Sequence, residues 1–245
     1  MLQYNRKFSL FSISKFGPYL LLLLVTGVPS FQIYAQDTNQ TDAEGRRHGK
    51  WRKFYENTQQ LRYEGTFDHG KEVGTFNFYK PKSGNQPTAT KVFRKDSDTV
   101  TVTYFTSKGK IISRGNMVAK DRVGDWTYYH QDGKQMMMTE SYAKGMLDGT
   151  QHTYFPNGKL AEKTNYRSGL KHGKSELYSE QGKLLKEFTY ENGVLNGLTK
   201  YYDGLGNLLI EGNYKKDRKD GIWKYYEGGK LKEEKVFPLQ KSRKP

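Results

Sequence analysis

The stretch "LTKYYDGLGNLLIEGNYKKDRKDGIWKYYEGGKL", residues 198–231, carries one pattern twice. Lys200-Tyr201-Tyr202 returns as Lys224-Tyr225-Tyr226, and a glycine-rich break follows each aromatic pair. Internal recurrence at a fixed period is the mark of a repeat architecture. Working outward, glycines that precede an aromatic strand anchor the same pattern at Gly49, Gly74, Gly124, Gly149, Gly173, Gly197 and Gly221, with successive gaps of 25, 50, 25, 24, 24 and 24. Thr99, in "SDTVTVTYF", divides the double gap equally, which gives eight units. Five residues beyond the eight anchors stand Phe54, Tyr79, Tyr104, Tyr129, Tyr154, Tyr178, Tyr202 and Tyr226.

Each unit reads as strand, tight turn, strand and loop. The turns carry "PNGK" at Pro156, "EQGK" at Glu180 and "GLGN" at Gly204, and an apolar residue (Leu160, Leu184, Leu208) opens the second strand. Short runs rich in Tyr, Phe, Trp, Thr and Leu, bounded by Gly, Asn and Asp, are hairpin signals. Pro81 and Pro87 in "KPKSGNQPTATK" call for a longer loop in the second unit. No segment beyond the leader keeps a period near 3.6, so no helix is expected. One hairpin cannot bury its apolar face alone, whereas stacked hairpins bury it on one another. The expected fold is therefore all-β: an elongated single-sheet array of eight antiparallel hairpins. The residue five past each anchor should form an aromatic ladder, rung over rung.

Composition agrees with a thin β-structure. Among 245 residues, 34% are hydrophobic yet 14% are aromatic, with 19 Tyr and 26 Gly, and mean hydropathy is −0.91. Residues 1–35 read as an export signal: Arg6, Lys7 and Lys15, then the apolar run Phe16–Val28, then Ile33-Tyr34-Ala35 as a cleavage site. The domain plan is a signal peptide over 1–35, a linker over 36–44, the array over 45–237 and a basic tail over 238–245. An exported chain without cysteine has no disulfide, so its stability must come from packing between units. The net charge of +15 directs it to an acidic protein, anionic lipid or an acidic glycan. Export to the periplasm, cell envelope or medium argues against nucleic acid as the partner.

The strands "DGIWKYYEGGKL", "VGDWTYYHQDGK" and "HGKWRKFYENTQQLRYEGTF" resemble the variant MORN repeat of bacteria, G-x-W-x-x-Y-Y-x-x-G-x-L followed by E-x-x-Y-x-x-G. The resemblance extends over about residues 45–237. Thr99 departs from it at the anchor, and Thr101, Gln151, Ser175 and Thr199 stand where the pattern prefers Trp. It implies a non-catalytic scaffold that binds proteins or anionic lipids. It is also similar to the YwqK-like antitoxin family, which implies, as an alternative, neutralisation of a toxin by direct contact.

Two candidate contact surfaces follow. Trp51, Phe76, Trp126 and Trp223 lie two past an anchor, and Tyr128, Tyr201 and Tyr225 lie four past it. Strand alternation puts them opposite the ladder, as an aromatic strip for a partner protein if that face is open. Lys215, Lys216, Arg218 and Lys219 concentrate positive charge near the C-terminus for an anionic surface.

Catalytic, metal and cofactor chemistry find no support. His48, His69, His130, His152 and His172 show no metal-ligand spacing and read as turn residues; His48 and His172 are too many units apart to share an ion. The recurring Glu162, Glu187 and Glu211 are better matched to cross-strand lysines such as Lys174, Lys200 and Lys224 than to a carboxylate pair around a cleft. No nucleophile elbow, Walker loop or dinucleotide fingerprint occurs. Strand edges at both ends of the array leave end-to-end dimerisation open.

Overall fold

The computed structural model describes residues 38–238, which lie in the unit Gln36–Pro245. The leader expected over 1–35 and all but the first residue of the basic tail fall outside the described residues. Within them there is no helix; nineteen strands form one antiparallel sheet. Eight hairpins follow in chain order: Arg47–Phe54 with Leu61–Asp68, Lys71–Phe78 with Ala89–Arg94, Ser97–Phe105 with Ile111–Val118, and Asp121–Tyr129 with Met136–Ala143. Then come Gly149–Tyr154 with Leu160–Arg167, Leu170–Tyr178 with Leu184–Glu191, Gly197–Tyr202 with Leu208–Lys215, and Arg218–Glu227 with Lys230–Phe237. Three two-residue strands complete the sheet: Gln40–Thr41, Met146–Leu147 and Val194–Leu195. Part of the expected 36–44 linker is thus folded: Gln40 and Thr41 pair with His48 and Arg47.

Two irregularities recur and decide where side chains go. The first lies inside the hairpin, where the second strand carries one extra residue, as at Tyr201↔Ile210 followed by Tyr202↔Leu208. The second lies between hairpins and contains the anchor glycine. Between the pairs Arg114↔Thr127 and Asn116↔Val123, Gly115 alone faces three residues, Gly124 to Trp126. Gly124 there has φ +63°, a left-handed conformation that glycine adopts without strain, and a Cβ on it would meet nothing within 4 Å. The anchor is conformational.

The interhairpin bulge lowers the residue two past the anchor onto the preceding strand, and this is where the core sits. Phe76, Trp126 and Trp223 are buried at 1%, 0% and 1% exposure. Each lies over a glycine eleven residues earlier: a Cβ on Gly65, Gly115 or Gly212 would come within 2.4, 2.3 and 2.3 Å of the ring. These glycines provide space, not a special φ. Where the upper residue is small or polar, the lower one fills the space instead: Thr164 lies beneath Ser175, Oγ1 to Oγ at 2.7 Å, and Gln151 Nε2 donates to Glu140 at 2.9 Å. Volume is conserved across the pair, as close packing demands.

The third unit corrects the sequence reading by one residue. Val102, not Thr101, is the buried residue at 0%, it pairs with Gly115, and the hairpin bulge falls between Tyr104 and Phe105. The anchor equivalent is therefore Val100 rather than Thr99. Tyr104 turns to the Trp face, where its ring stacks on Trp126 with centroids 6.3 Å apart. A one-residue slip in a strand exchanges its faces. The slip follows the second hairpin, whose loop runs from Tyr79 to Thr88 and whose strands pair without a bulge.

Replacing Gly115 with Ala should cost about 1–3 kcal/mol by overpacking. Trp126→Ala alone should cost about 3–5 kcal/mol. The two losses should not add, because the double variant has no ring for the new methyl group to strike. Denaturant unfolding of the full chain measures all three; strict additivity would show that ring and glycine do not share the contact.

Candidate binding face

The face that carries the aromatic pairs is built identically around each tryptophan. A cation four residues earlier lies over the ring: Arg47 over Trp51 at 5.1 Å, Arg122 over Trp126 at 4.5 Å and Lys219 over Trp223 at 4.1 Å. Each indole N–H donates to a main-chain carbonyl: Trp51 to Gln40 at 2.9 Å, Trp126 to Asn116 at 2.9 Å and Trp223 to Asn213 at 3.0 Å. Arg122 also donates to the Tyr128 and Tyr142 hydroxyls at 2.6 and 2.9 Å, and Tyr142 donates to the buried Glu140 carboxylate at 2.7 Å. Burial first, then Glu140, pushes the Tyr128 hydroxyl far above its ordinary pKa.

This geometry corrects the expectation of an open aromatic strip. Phe76, Trp126 and Trp223 are core, while Trp51, Tyr128, Tyr201 and Tyr225 are half-buried under cations or neighbouring rings. The physical reason is the interhairpin bulge, which seats the ring on a glycine, together with the cation that closes over it. Lys219 is likewise committed to Trp223, Tyr225 and Phe237. Lys215, Lys216 and Arg218 remain exposed around a turn held by Asp217, which accepts the Leu195 N–H at 2.7 Å.

The ladder residues do lie on the opposite face, but their rings do not stack on one another. Among the described residues no ring pair joins two of Phe54, Tyr79, Tyr129, Tyr154, Tyr178, Tyr202 and Tyr226. Three of the hydroxyls instead donate to glutamates: Tyr79 to Glu64 at 2.8 Å, Tyr178 to Glu176 at 3.0 Å and Tyr226 to Glu211 at 2.7 Å. Phe54 has no hydroxyl and is exposed. The recurring glutamates face lysines across the strands, with Lys174 3.5 Å from Glu187, Lys224 4.0 Å from Glu211, and Lys200 paired in register with both.

The aromatic face opens into a trough at the second and third hairpins. There the position two before the anchor holds Glu72 and Asp98 in place of a cation, and Val102 stands where the first, fourth and eighth hairpins have Trp. A trough of about 830 Å³ results, with Phe78, Phe93, Val102 and Met117 forming its apolar walls and Lys71 and Lys91 among its charged rim. Sequence reading missed it, although an acid two before the anchor and a missing Trp were visible signals.

The histidine reading needs correction in placement: His69 lies in a turn, but His48, His152 and His172 lie in strands. His48 cannot meet His172, but it meets His69, their ring centroids 4.8 Å apart, because the first hairpin brings Asp68 and His69 beside the strand that starts at Arg47. Asp42, His69 and Arg46 form a second contact set in the folded segment before that strand.

These features define an open hairpin-repeat array. In sequence, residues 147–168, 171–192, 195–216 and 219–237 match the MORN repeat variant, and these four segments coincide with the fifth to eighth hairpins. MORN repeats are in general binding modules without enzymatic activity. No curated protein matches the chain. Among solved structures, "Crystal Structure of TcdB2-TccC3-Cdc42" is 12% identical, with 79% of this chain and 14% of that one covered, at a TM-score of 0.20. The present chain thus spans a small part of that much longer one. Among the described residues no helix is long and apolar enough to cross a membrane.

Several tyrosines are held neutral by burial and then by a neighbouring carboxylate or hydroxyl: Tyr79 and Tyr178, with Glu64 and Glu176, and Tyr201, with Tyr214, are each pushed up to about 12. An acid whose folded pKa exceeds its unfolded value near 10 binds more protons folded than unfolded above that pH. Its contribution is present below pH 10 and lost as pH rises toward 12. The melting temperature should therefore hold between pH 7 and 9 and fall steeply above about pH 10, with the Tyr79→Phe variant falling less.

Proposed function

We propose that the array is the non-catalytic binding part of an exported protein, and that it captures a partner protein through the trough between the second and third hairpins. The observation that carries this reading is the missing plug: Trp and cation close the aromatic face at the first, fourth and eighth hairpins, and neither is present where Val102 forms the floor. A trough with phenylalanine, valine and methionine walls accepts an apolar anchor side chain, the usual centre of a protein interface. The rim carries Lys71, Lys91, Arg94 and Lys95 beside Asp68, Glu72 and Asp98, so it can pair with charges of either sign, and the chain's +15 charge steers an acidic partner toward it. Arg122, Tyr128, Tyr142 and Glu140 on this face are tied into hydrogen bonds that hold hairpins together, and this supports a structural and not a chemical use for them.

Toxin neutralisation by contact would be one case of such capture, and co-expression with the product of a neighbouring gene, scored as rescue or none, separates it. An anionic envelope component in place of a protein would show as binding that disappears with salt as the screening length falls below about 10 Å. Met117→Glu places a charge in the trough wall and should weaken retention of the partner at least about tenfold, or ~1.4 kcal/mol. Leu205→Glu, at an 80% exposed turn, should leave retention unchanged. Equal capture by the Met117→Glu protein, with its fold verified by circular dichroism, would remove the trough from the interface.

A further inference from the structure

We propose that His48 Nδ1, Asp68 Oδ1 and His69 Nε2 form a binding site for a borderline divalent transition ion, with Zn²⁺ as the reference, at the open end of the first hairpin, where the chain turns into the second. One ligand atom from each of the three residues lies within 4.8 Å of those of the other two. Asp68 Oδ1 is 3.9 Å from His48 Nδ1 and 3.8 Å from His69 Nε2. Tetrahedral zinc with ligands near 2.0–2.1 Å holds its donors about 3.3–3.4 Å apart. The two separations from Asp68 Oδ1 therefore need to close by about 0.5 Å, and the imidazole nitrogens, within 4.8 Å of each other, by as much as about 1.4 Å; side chains at 47%, 36% and 55% exposure can do this by rotation. The fourth position opens to solvent.

The surroundings are arranged as ligands require. Asp42 Oδ2 lies 2.7 Å and Arg46 Nη2 3.1 Å from His69 Nδ1; with the proton on Nδ1, donated to the Asp42 carboxylate, Nε2 offers its lone pair toward Asp68 and His48. A carboxylate on the far nitrogen of an imidazole is the usual support of a metal-bound histidine. Lys95 takes the other Asp68 oxygen at 2.9 Å, which holds this carboxyl below its ordinary pKa and leaves Oδ1 free for the ion. The main-chain N–H of His69 reaches His48 Nδ1 only at 3.4 Å, a weak bond that the ion would replace. Asp42, Glu44 and His69 also converge, but Arg46 donates to Asp42 at 2.8 Å and to Glu44 at 2.8 Å, so those carboxylates are already neutralised. Two imidazoles and one carboxylate select Zn²⁺, Ni²⁺ or Cu²⁺ over Ca²⁺ and Mg²⁺, which take oxygen ligands in larger number. The site adjoins the trough, with Asp68 and Lys95 on the rim of both, but none of its ligands comes from a partner.

Calorimetric titration of the untagged, chelator-treated full chain with ZnCl₂ tests the assignment. One ion per chain should bind, at least tenfold more weakly or not at all in His48→Gln and Asp68→Asn, and 10–100-fold more weakly in Asp42→Asn. His172→Gln should bind as wild type. Substitution with Co²⁺ should give visible absorption of a four-coordinate, nitrogen-ligated centre. Absence of stoichiometric binding, unchanged binding in His48→Gln with circular dichroism unaltered, or equal heat with CaCl₂ would each overturn the proposal.

Discussion

The structure rests on one contact: a side chain two residues past each anchor lowered onto the strand eleven residues before it. Hydrogen bonds along an open sheet hold neighbouring strands but do not by themselves bury apolar surface. In this chain that burial is concentrated where Trp126 covers Gly115, Trp223 covers Gly212 and Phe76 covers Gly65. Fully burying an aromatic ring is worth a few kcal/mol. A repeat array sums a small number of such interfaces between neighbours. The left-handed glycine of the bulge and the spacer glycine beneath the ring serve the same contact by different means, one through backbone freedom and the other through lack of volume.

That contact also partitions chemistry along the sheet. Hairpins joined by Trp over Gly carry a cation above the ring, so the face is sealed by Arg47, Arg122 and Lys219. Between the fourth and sixth hairpins the same positions are polar, and Glu140, Gln151, Thr164 and Ser175 satisfy one another inside the array. Thr199 Oγ1 is buried without a hydrogen-bond partner, a local weakness between the sixth and seventh hairpins. At the second and third hairpins neither solution is used, and the trough is what remains. A surface for binding thus arises where the repeat is least regular.

The opposite face works by another rule. Tyr79, Tyr178 and Tyr226, five past their anchors, donate to glutamates, and Glu64 and Glu211 also face Arg52 and Lys224, so charge and phenol meet on this face without ring stacking. Such pairs contribute modestly each, and alternating charge on the last strand, Lys230–Phe237, discourages pairing with another chain at that edge. At the other end Gln40–Thr41 covers part of the first strand. The same segment places Asp42 on His69, so the feature that trims the edge also assembles the histidine cluster.

The recurrence of Gly, aromatic and turn residues determined by itself the eight hairpins, their order, the absence of helix and the opposition of the two faces, because strand alternation and turn chemistry are local properties. It did not determine which face is buried. That depends on the bulge at Gly124 and its equivalents, and an extra residue in a strand is invisible until its partner strand is known. It also misplaced Val100 by one residue, since an even division of a 50-residue gap ignores the longer loop at Tyr79–Thr88. Only the tertiary structure brought His48 to His69 and left Val102 uncovered. Both are juxtapositions across strands, fixed by register and by what stands on the neighbouring hairpin rather than by any residue's own neighbours in the chain.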